Sequence, residues 1–409
     1  MRLLLSTLGS RGDVEPLVAL AVQLRALGAE VRVAAPPDEE FAQRLAGVGV
    51  PLVPVGPPMR AMMAGTGGPS PEDLPALAAG VLAAQFGVVG AAAEDCDVLV
   101  AAGLMQVAAR SVAEKLGIRY VYASYCPIML PSPHHPPLTL PDRPSTSDVT
   151  ENRELWDPDG KGFNELFGQA LNAQRLAIGL PPVGNVRDHV ITDTPWMAAD
   201  PVLAPWLEPT DLGVTQTGAW LVPDDRPLPA ELRAFLDAGT PPVFVSFGSG
   251  RAPEGAARVA IEAIRAHGHR ALIARGWADL DLIDDGGDCF VVGEANHQAL
   301  LTRVSAVVHH GGAGTTTAAA RAGVPQVVIP QSVDQPYWAA RVADLGIGAA
   351  HADPNPTTES LKAALATALA PETRDRATAV AGTIRTDGAA VAAKLLLDTA
   401  TQNGRPASA

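Results

Sequence analysis

The stretch Ala306-Val307-Val308-His309-His310-Gly311-Gly312-Ala313-Gly314-Thr315-Thr316 decides the fold class of this 409-residue chain. A short apolar run leads into glycines, and the residues after the glycines favour a helix. This order is the building block of a parallel α/β sheet, whose buried strands read as continuous apolar runs. Backbone amides at such a helix start, together with the helix dipole, favour an anion. The stretch therefore predicts a parallel sheet with an anion-binding turn at a strand end.

The residues around this stretch repeat the alternation of strand and helix. Apolar runs predict strands at residues 242–247, 270–274, 289–292, 306–309 and 326–329. Helical periodicity predicts helices at residues 256–267, 297–303, 314–322, 335–345, 358–369, 373–383 and 389–399. The second half of the chain is therefore predicted to form one α/β domain.

The first half of the chain alternates in the same way. Strands are predicted at residues 2–7, 30–35, 51–55, 97–102 and 119–123, and helices at 15–27, 41–46 and 105–116. The apolar stretch 76–93 is rich in Ala and Gly and has no basic flank, so a buried or half-buried helix is predicted instead of a membrane span. Stretch 59–71, rich in Gly, Met and Pro, and the Pro-rich stretch 127–158 are interpreted as loops that bind an acceptor or are disordered.

These elements predict an α/β fold with two Rossmann-like parallel-sheet domains facing across a cleft. The predicted boundaries are residues 1–205, a linker at 206–227, a second domain at 228–385, and a C-terminal helix and tail at 386–409. Ligands of such sheets bind beyond the carboxyl ends of the strands. We therefore expect the turns that follow the strands to carry the site.

Composition excludes several function classes. The net charge of −14 argues against a broad nucleic-acid surface or a stable association with anionic membranes. Three widely spaced cysteines give no zinc pattern and suit a reducing cytoplasm. The pair Asp279 and Asp281 has metal-binding spacing, but no phosphate turn adjoins it, and a solvated loop is preferred. No metal site is predicted.

Two strand exits in the second half carry candidate binding groups. In the first, His309 and Thr315 add side-chain donors to the glycine turn, which lacks the Gly-Lys-Ser/Thr of a P-loop. In the second, Asp334 and Gln335 stand side by side in residues 330–336 and suit the vicinal hydroxyls of a sugar. The alternative is that Asp334 only caps the next helix.

The turn Gly9-Ser10-Arg11-Gly12-Asp13 carries a candidate acid. Asp13 at a strand exit is placed to take a proton from a hydroxyl nucleophile, and a helix N-cap is the equally weighted alternative. The turn Phe247-Gly248-Ser249-Gly250 offers amides and a hydroxyl for phosphate. Trp277 is a candidate to stack on a base, with a core or interface position as the alternative.

Nearly the whole chain resembles the two-domain inverting glycosyltransferases of the GT-B fold, and more narrowly those that glycosylate glycopeptide antibiotics of the vancomycin and teicoplanin group. The resemblance rests on motifs in register along the chain: the 9–13 turn, Ala113-Glu114-Lys115-Leu116-Gly117, Leu180-Pro181-Pro182-Val183, Ala198-Ala199-Asp200-Pro201-Val202-Leu203, Gln216-Thr217-Gly218-Ala219-Trp220, Arg275-Gly276-Trp277, the 309–315 turn and Asp334-Gln335-Pro336-Tyr337. Plant relatives differ, because they have a histidine base in the first turn and a tryptophan near residues 294–298.

The resemblance implies a metal-independent inverting hexosyltransferase that needs no cofactor beyond its nucleotide-sugar co-substrate, UDP-glucose or UDP-N-acetylglucosamine. Its acceptor would be a phenolic hydroxyl of a glycopeptide aglycone, and the protein would be a monomer. The implied roles are Asp13 as general base, aided by Asp334; Ser10, Ser246, Ser249, His309, Gly311, Gly312, Gly314 and Thr315 at the donor diphosphate; Asp334 and Gln335 at the donor sugar; and Trp277 at the base.

Other functions stay open from the sequence. A nucleotide-sugar epimerase uses a similar two-domain fold and would turn over the donor without any acceptor. A transferase using a dTDP-deoxysugar or another natural-product acceptor would share the same motifs. A non-catalytic nucleotide-sugar sensor would bind UDP without forming product, and a transferase acting on lipid would need the basic patch that this chain lacks.

Overall fold

The computed structural model describes residues 1–64, 72–103, 105–138, 151–284 and 286–402. The chain divides into two compact units. The first unit comprises Met1–Asp200, Pro205–Val222 and Arg385–Ala409, and the second comprises Pro201–Ala204 and Pro223–Ile384. Residues 205–222, which the sequence analysis assigned mostly to a linker, thus group with the first unit.

In the described residues, the first unit contains a seven-stranded parallel sheet of order β3-β2-β1-β4-β5-β6-β7. Its strands are β1 (Arg2–Thr7), β2 (Glu30–Ala35), β3 (Leu52–Pro54), β4 (Val98–Ala102), β5 (Arg119–Ser124), β6 (Trp196–Met197) and β7 (Thr215–Gln216). Its helices are α1 (Arg11–Ala26), α2 (Glu39–Gly47), α3 (Met59–Ala64), α4 (Leu74–Ala84), α5 (Gly90–Ala93), α6 (Ala109–Leu116), α7 (Asn152–Phe163), α8 (Gln169–Ala177) and α9 (Val186–Ile191).

The second unit contains, among its described residues, a six-stranded parallel sheet of order β10-β9-β8-β11-β12-β13. Its strands are β8 (Val243–Ser246), β9 (Ala271–Ala274), β10 (Cys289–Val292), β11 (Ala306–His309), β12 (Gln326–Val328) and β13 (Gly348–Ala350). Its helices are α10 (Ala230–Asp237), α11 (Ala256–Ala266), α12 (His297–Leu301), α13 (Ala313–Arg321), α14 (Gln335–Asp344), α15 (Thr358–Ala368) and α16 (Pro371–Ala381). The last helix, α17 (Gly388–Gln402), belongs to the first unit and packs on α1.

Both sheets begin with the doubly-wound strand order 3-2-1-4-5-6. The first strand of each unit pairs with the fourth, so the strand order reverses between β1 and β4 and between β8 and β11. These reversals are the switch points at which ligands bind in such sheets. The predicted fold class of two parallel-sheet α/β domains is confirmed.

Continuous apolar strands explain why both sheets are covered. Leu4 and Leu5 in β1, and Val243, Phe244 and Val245 in β8, have no exposed surface. Helices cover both faces, so alternate residues of a strand are buried in different clusters of the core. Polar residues begin at the ends of the strands, so these ends are the places where ligands can be bound.

Several predicted boundaries were wrong. Helix α1 begins at Arg11 and not at Glu15, because Ser10 is its N-cap and Asp13 lies in its first turn. Residues 59–64 of the first predicted loop form α3, and α7 begins inside the second loop, at Asn152. Residues 65–71 and 139–150 of these loops lie outside the described residues. Strands β6, β7 and β13 and helices α8 to α10 were not predicted, and most of them are short.

The apolar stretch 76–93 is helical and half-buried, as predicted. Leu74–Ala93 forms α4, one π-helical turn at Gln85–Val89, and α5. Ala78, Leu82 and Val89 face the core, and Gln85 is buried with its Oε1 accepting a 2.8 Å bond from Ala108 N. By length and composition alone this stretch could cross a membrane, which is weak evidence for a span.

Candidate functional site

Asp13 is held at the end of β1 by the backbone of the turn before it. Asp13 Oδ2 accepts a 2.9 Å hydrogen bond from Ser10 N, so the carboxylate reaches back to the N-cap of α1. A Cβ built on Gly9 would overlap Asp13 Oδ2, so a side chain at position 9 would displace the carboxylate from this orientation. The alternative in which Asp13 is itself the N-cap is wrong, because Ser10 occupies that position.

Gly103 leaves the carboxylate room on its other side, and the sequence analysis missed it. It follows β4, the strand paired with β1, and has φ of +88°, a conformation that favours glycine. A Cβ there would lie 3.1 Å from Asp13 Oδ1. The available signal was a glycine directly after a predicted strand that is apolar from Val98 to Ala102.

Two tyrosines from β5 and its exit surround the acid. Burial raises the pKa of Tyr122 and of Tyr125, and the negative charge of Asp13 raises both further. Tyr125 Oη donates a 3.1 Å hydrogen bond to the backbone carbonyl of Asp13. On the outer side, Arg11 pairs with Glu40. The acid therefore lies in a partly desolvated setting at the switch point of the first unit.

His309 is the last residue of β11 and is fully buried. Its Nδ1 accepts a 3.1 Å bond from Gly311 N, so its Nε2 carries the proton and donates at 2.9 Å to Gln326 Oε1. Burial lowers the pKa of His309 to about 3, so the ring is neutral. Because both ring nitrogens are engaged within the protein, His309 orders the glycine turn in this structure. That it also donates to a diphosphate stays a prediction.

Gln326, which fixes this tautomer, was also missed. It is a fully buried amide on β12, and its Nε2 donates at 3.3 Å to the carbonyl of Thr316 in α13. The sequence signal for Gln326 was that it is the lone polar residue in an otherwise apolar strand, next to a strand that ends in a histidine. Gln326 thus joins the strand, the turn and the helix that follows.

The ring of His310 packs against three glycines. A Cβ on Gly248 would lie 3.2 Å from its Cε1, one on Gly250 3.6 Å from its Cδ2, and one on Gly312 2.8 Å from its Nε2. Burial lowers the pKa of His310 to about 4, so this ring is neutral as well. The turns after β8 and β11 meet around this ring, at the switch point of the second unit.

The start of α13 presents backbone amides that no side chain caps. Gly312 is the N-cap and has no side chain to satisfy them, and the first amides of a helix have no intrahelical acceptor. Gly314 lies in the first turn, and a Cβ placed on it would have nothing within 4 Å. The hydroxyls of Thr316 and Thr317 bond back to the helix, at 3.0 and 2.8 Å, whereas Thr315 makes no such bond within the described residues.

The remaining diphosphate candidates lie at neighbouring strand ends. Ser246 ends β8 and is buried, with its Oγ 3.4 Å from Gly248 N, and Ser249 is half-buried in the same turn. Trp277, after β9, is half-buried, and its backbone N donates at 2.9 Å to Gly248 O. The exits of β8, β9 and β11 therefore form one continuous surface.

Asp334 and Gln335 follow β12 and adjoin the same surface. A Cβ on Gly311, whose φ is +94°, would lie 3.1 Å from Gln335 O. Asp334 Oδ2 accepts a 2.8 Å bond from Trp338 Nε1, so the carboxylate does not cap α14 through its side chain. Burial raises the pKa of Asp334, and the Trp338 bond opposes that rise. Gln335 Oε1 accepts from the backbone N of Gln331 and of Ser332, at 2.7 and 3.1 Å.

The predicted site residues therefore fall into two sets. Asp13 and Ser10 lie together at the switch point of the first unit. The other predicted residues lie along one edge of the second sheet. In the described part of the chain no cluster of three or more His, Cys, Asp or Glu side chains is arranged for a metal. Asp279 and Asp281 are ion-pair partners of Arg275, at 3.9 and 3.7 Å.

Comparisons with known proteins agree with this architecture. Residues 3–131 match the model of the glycosyltransferase family 28 N-terminal domain, and residues 287–393 match that of the erythromycin biosynthesis protein CIII-like C-terminal domain. Vancomycin aglycone glucosyltransferase of Amycolatopsis orientalis is 60% identical over 97% of both chains, and dTDP-epi-vancosaminyltransferase of the same organism is 52% identical over 93% of both. The solved glycotransferase of kitacinnamycin superposes with a TM-score of 0.72 at 21% identity, over 97% of this chain and 98% of that one.

Proposed function

The chain belongs to the glycosyltransferase family of vancomycin aglycone glucosyltransferase, and from that premise we propose that it moves a hexose from a UDP-sugar to a phenolic hydroxyl of a glycopeptide aglycone. The sugar is glucose or N-acetylglucosamine. The observation that carries this proposal is the 60% identity to that glucosyltransferase over 97% of both chains. The epimerase and sensor alternatives lose their support, because the chain is a glycosyltransferase.

In the proposed reaction, Asp13 acts as the general base. Its carboxylate takes the proton of the acceptor hydroxyl while that oxygen attacks the anomeric carbon. The bond from the anomeric carbon to the diphosphate oxygen breaks, and its electron pair leaves with the diphosphate. Attack from the face opposite the leaving group inverts the anomeric configuration. The partly desolvated position of Asp13 supports this role. Partial loss of solvating water makes a carboxylate a stronger proton acceptor, and the remaining exposure lets the acceptor hydroxyl reach it.

The leaving diphosphate binds the start of α13. Its developing negative charge is met by unpaired backbone amides and by the positive end of the helix dipole. Preorganised donors of this type contribute roughly 3–4 kcal/mol each to the rate. His309 and His310 are neutral at physiological pH, so they support the turn by packing and hydrogen bonding and not by charge. No metal ion is part of this proposal, and full activity in EDTA is expected.

The donor sugar contacts Asp334 and Gln335. One oxygen of Asp334 is held by Trp338, which leaves the other to accept sugar hydroxyls. The Oε1 of Gln335 is held by two amides, which leaves its NH₂ group to donate. An acceptor and a donor side by side match two vicinal hydroxyls, and this favours a fully hydroxylated hexose over a deoxysugar.

The proposed acceptor surface is α3, where Met62 and Met63 expose apolar side chains, and Leu77 of α4 is a further exposed candidate. Their exposed fractions are 45%, 36% and 38%, high for such side chains. Helix α3, which carries both methionines, begins where Asp38 accepts bonds from Met59 N and Arg60 N, at 2.7 and 2.8 Å. Asp38 follows β2, so this surface adjoins the same sheet edge as Asp13. Apolar, polarizable side chains suit aromatic rings.

A matrix of donors against acceptors tests the proposal. UDP-glucose, UDP-N-acetylglucosamine and a dTDP-deoxysugar are each combined with glycopeptide aglycones and with simple phenols, and product mass and anomeric configuration are measured. Inverted product from a UDP-hexose and an aglycone is expected. Product only from the dTDP-deoxysugar would favour the function of the 52% identical relative instead.

The same matrix tests the acceptor surface. Replacing Met62 and Met63 together by Gln is expected to raise the aglycone KM without changing donor affinity. Leu27→Gln is the matched control, because Leu27 is 54% exposed but follows α1 at the opposite edge of the sheet. Equal effects of the two changes on the aglycone KM would exclude this surface as the acceptor site.

A further inference from the structure

Tyr125 is the first residue after β5, and its phenol reaches the helix that carries Asp13. The 3.1 Å bond from Tyr125 Oη ends on the backbone carbonyl of Asp13, in the first turn of α1. The backbone of the acid is therefore tied to the end of a strand two positions away in the sheet.

The strand order explains how this tie can form. β4 lies between β1 and β5 and is followed by Gly103. A side chain at Gly103 would compete with the Asp13 carboxylate for the space beyond β4. The glycine leaves this space open at the strand that separates the acid from Tyr125.

Tyr125 is itself held in place. Its ring meets the buried ring of Trp220 edge-on, with centroids 6.3 Å apart and planes at 80°. Trp220 Nε1 donates a 3.0 Å bond to Thr217 Oγ1, and Thr217 is buried. These residues belong to the Gln216-Thr217-Gly218-Ala219-Trp220 motif, to which the sequence analysis gave no function. The motif thus orients a tyrosine.

The hydroxyl of Tyr125 remains a donor at neutral pH. Burial raises the pKa of Tyr125, and the charge of Asp13 acts in the same direction. The phenol therefore stays protonated throughout the neutral pH range.

We propose that Tyr125 is a positioning residue for the base: its hydroxyl fixes the first turn of α1, so that the Asp13 carboxylate keeps the orientation given by Ser10 N, Gly9 and Gly103. This inference rests on the proposed function, because it needs Asp13 to be the general base. Tyr125 makes no contact with the reacting atoms in this account.

Tyr125→Phe and Tyr120→Phe form a matched pair that tests the inference. Tyr120 lies in β5, and its Oη donates a 3.0 Å bond to the carbonyl of Val190, so each change removes one bond from a phenol to a backbone carbonyl. Tyr125→Phe is expected to lower kcat roughly tenfold. Loss of one neutral hydrogen bond corresponds to a factor of ~5, and a 1 Å misplacement of a catalytic group to a factor of ~100, so the expected effect lies between them. Its donor KM stays within about twofold, while Tyr120→Phe keeps the kcat of the unaltered enzyme.

A double-mutant cycle separates positioning from general stability. In the Asp13→Asn background, Tyr125→Phe is expected to cause no further loss of the residual rate, because no base is left to position. Trp220→Leu, which keeps the Tyr125 hydroxyl but removes the aromatic contact, gives a smaller fall of kcat and again no effect in that background.

The outcomes separate this inference from the proposed function. If Asp13→Asn loses turnover but Tyr125→Phe behaves like Tyr120→Phe, the inference is overturned and the function stands. If Tyr125→Phe loses the same factor with and without Asp13, its role is structural and the inference is overturned. If Asp13→Asn keeps full turnover, the function and the inference both fail.

Discussion

The two switch points of this protein have the same topology but opposite arrangements. In the first unit, the exit of the first strand carries the acid Asp13, and the exit of the fourth strand supplies the bare Gly103. In the second unit, the exit of the fourth strand carries the histidines and the start of α13, and the exit of the first strand supplies Gly248 and Gly250. Each switch point thus pairs a turn that bears the candidate functional groups with a glycine turn that makes room for them.

This difference shows that the doubly-wound sheet fixes where chemistry occurs but not what it is. A carboxylate fills the space left by glycines in one unit, and in the other the glycines surround a neutral imidazole beside free helix amides. One switch point suits proton transfer and the other suits a diphosphate. Single substitutions can alter one switch point and leave the other unchanged.

The largest effect is expected from Asp13→Asn, which removes the base and leaves the first switch point otherwise intact. Asparagine can still accept the bond from Ser10 N, so the fold is retained. The expected fall in kcat is roughly 10²- to 10⁴-fold, the usual contribution of a general base. Steady-state turnover of the aglycone measures it, with thermal unfolding as the control for folding. Unchanged turnover would remove Asp13 from the reaction.

Gly314→Ala is expected to weaken donor binding at the second switch point without disturbing the fold. Nothing lies within 4 Å of the added carbon, and alanine stabilises a helix by about 1 kcal/mol relative to glycine. If the diphosphate binds the first turn of α13, the added carbon weakens donor binding roughly tenfold, or about 1.4 kcal/mol. Donor affinity is measured by calorimetry.

Gly47→Ala serves as the control for this change. Gly47 is an exposed last residue of α2 in the first unit, again with nothing within 4 Å. We expect this variant to bind the donor like the unaltered protein. Equal donor affinity of Gly314→Ala and Gly47→Ala would argue against anion binding at α13.

Gln326→Leu tests what orders the glycine turn. The change leaves the buried Nε2–H of His309 without its acceptor, which costs about 1–3 kcal/mol of folding free energy. Chemical unfolding of the second unit measures the loss. Gln43→Leu, in which the lost amide is exposed on α2, is expected to change stability little. A loss no larger than that of Gln43→Leu would mean that the His309 bond does not stabilise the turn.

The neutral histidines also predict that stability depends on pH. The pKa values of His309 and His310 are lowered to about 3 and about 4, below the ordinary value of 6.5. As pH falls below about 6.5 the unfolded chain binds protons that the folded chain does not, so stability is lost progressively toward pH 4. His310→Gln should reduce the slope between pH 6.5 and 4.5 by up to about 1.4 kcal/mol per pH unit. An unchanged slope would mean that His310 titrates normally in the fold.

Much of this comparison could be predicted from the sequence. Strands such as β1, β2, β10 and β11 were predicted to the residue, because short runs rich in apolar residues and close to glycine or proline have few other interpretations. Asp13, Asp334 and the glycine turn lie at strand ends, as predicted. Two-residue strands such as β6 give no periodicity to detect.

Other features depend on tertiary contacts that a sequence does not display. The hydrogen bond between His309 and Gln326 was not predicted, because the register of neighbouring strands decides which side chains meet. Gly103 and Tyr125 act at Asp13 from strands about 90 and 110 residues further along the chain, which only the sheet order brings next to β1.

The division of labour between the switch points is tested most directly by the dissociation constant of the nucleotide-sugar donor for Asp13→Asn. The account predicts a value within about twofold of the unaltered enzyme, although turnover is largely lost, because the donor diphosphate is bound by the second unit. Donor affinity that falls in parallel with turnover would contradict it, since Asp13 would then serve to bind the donor.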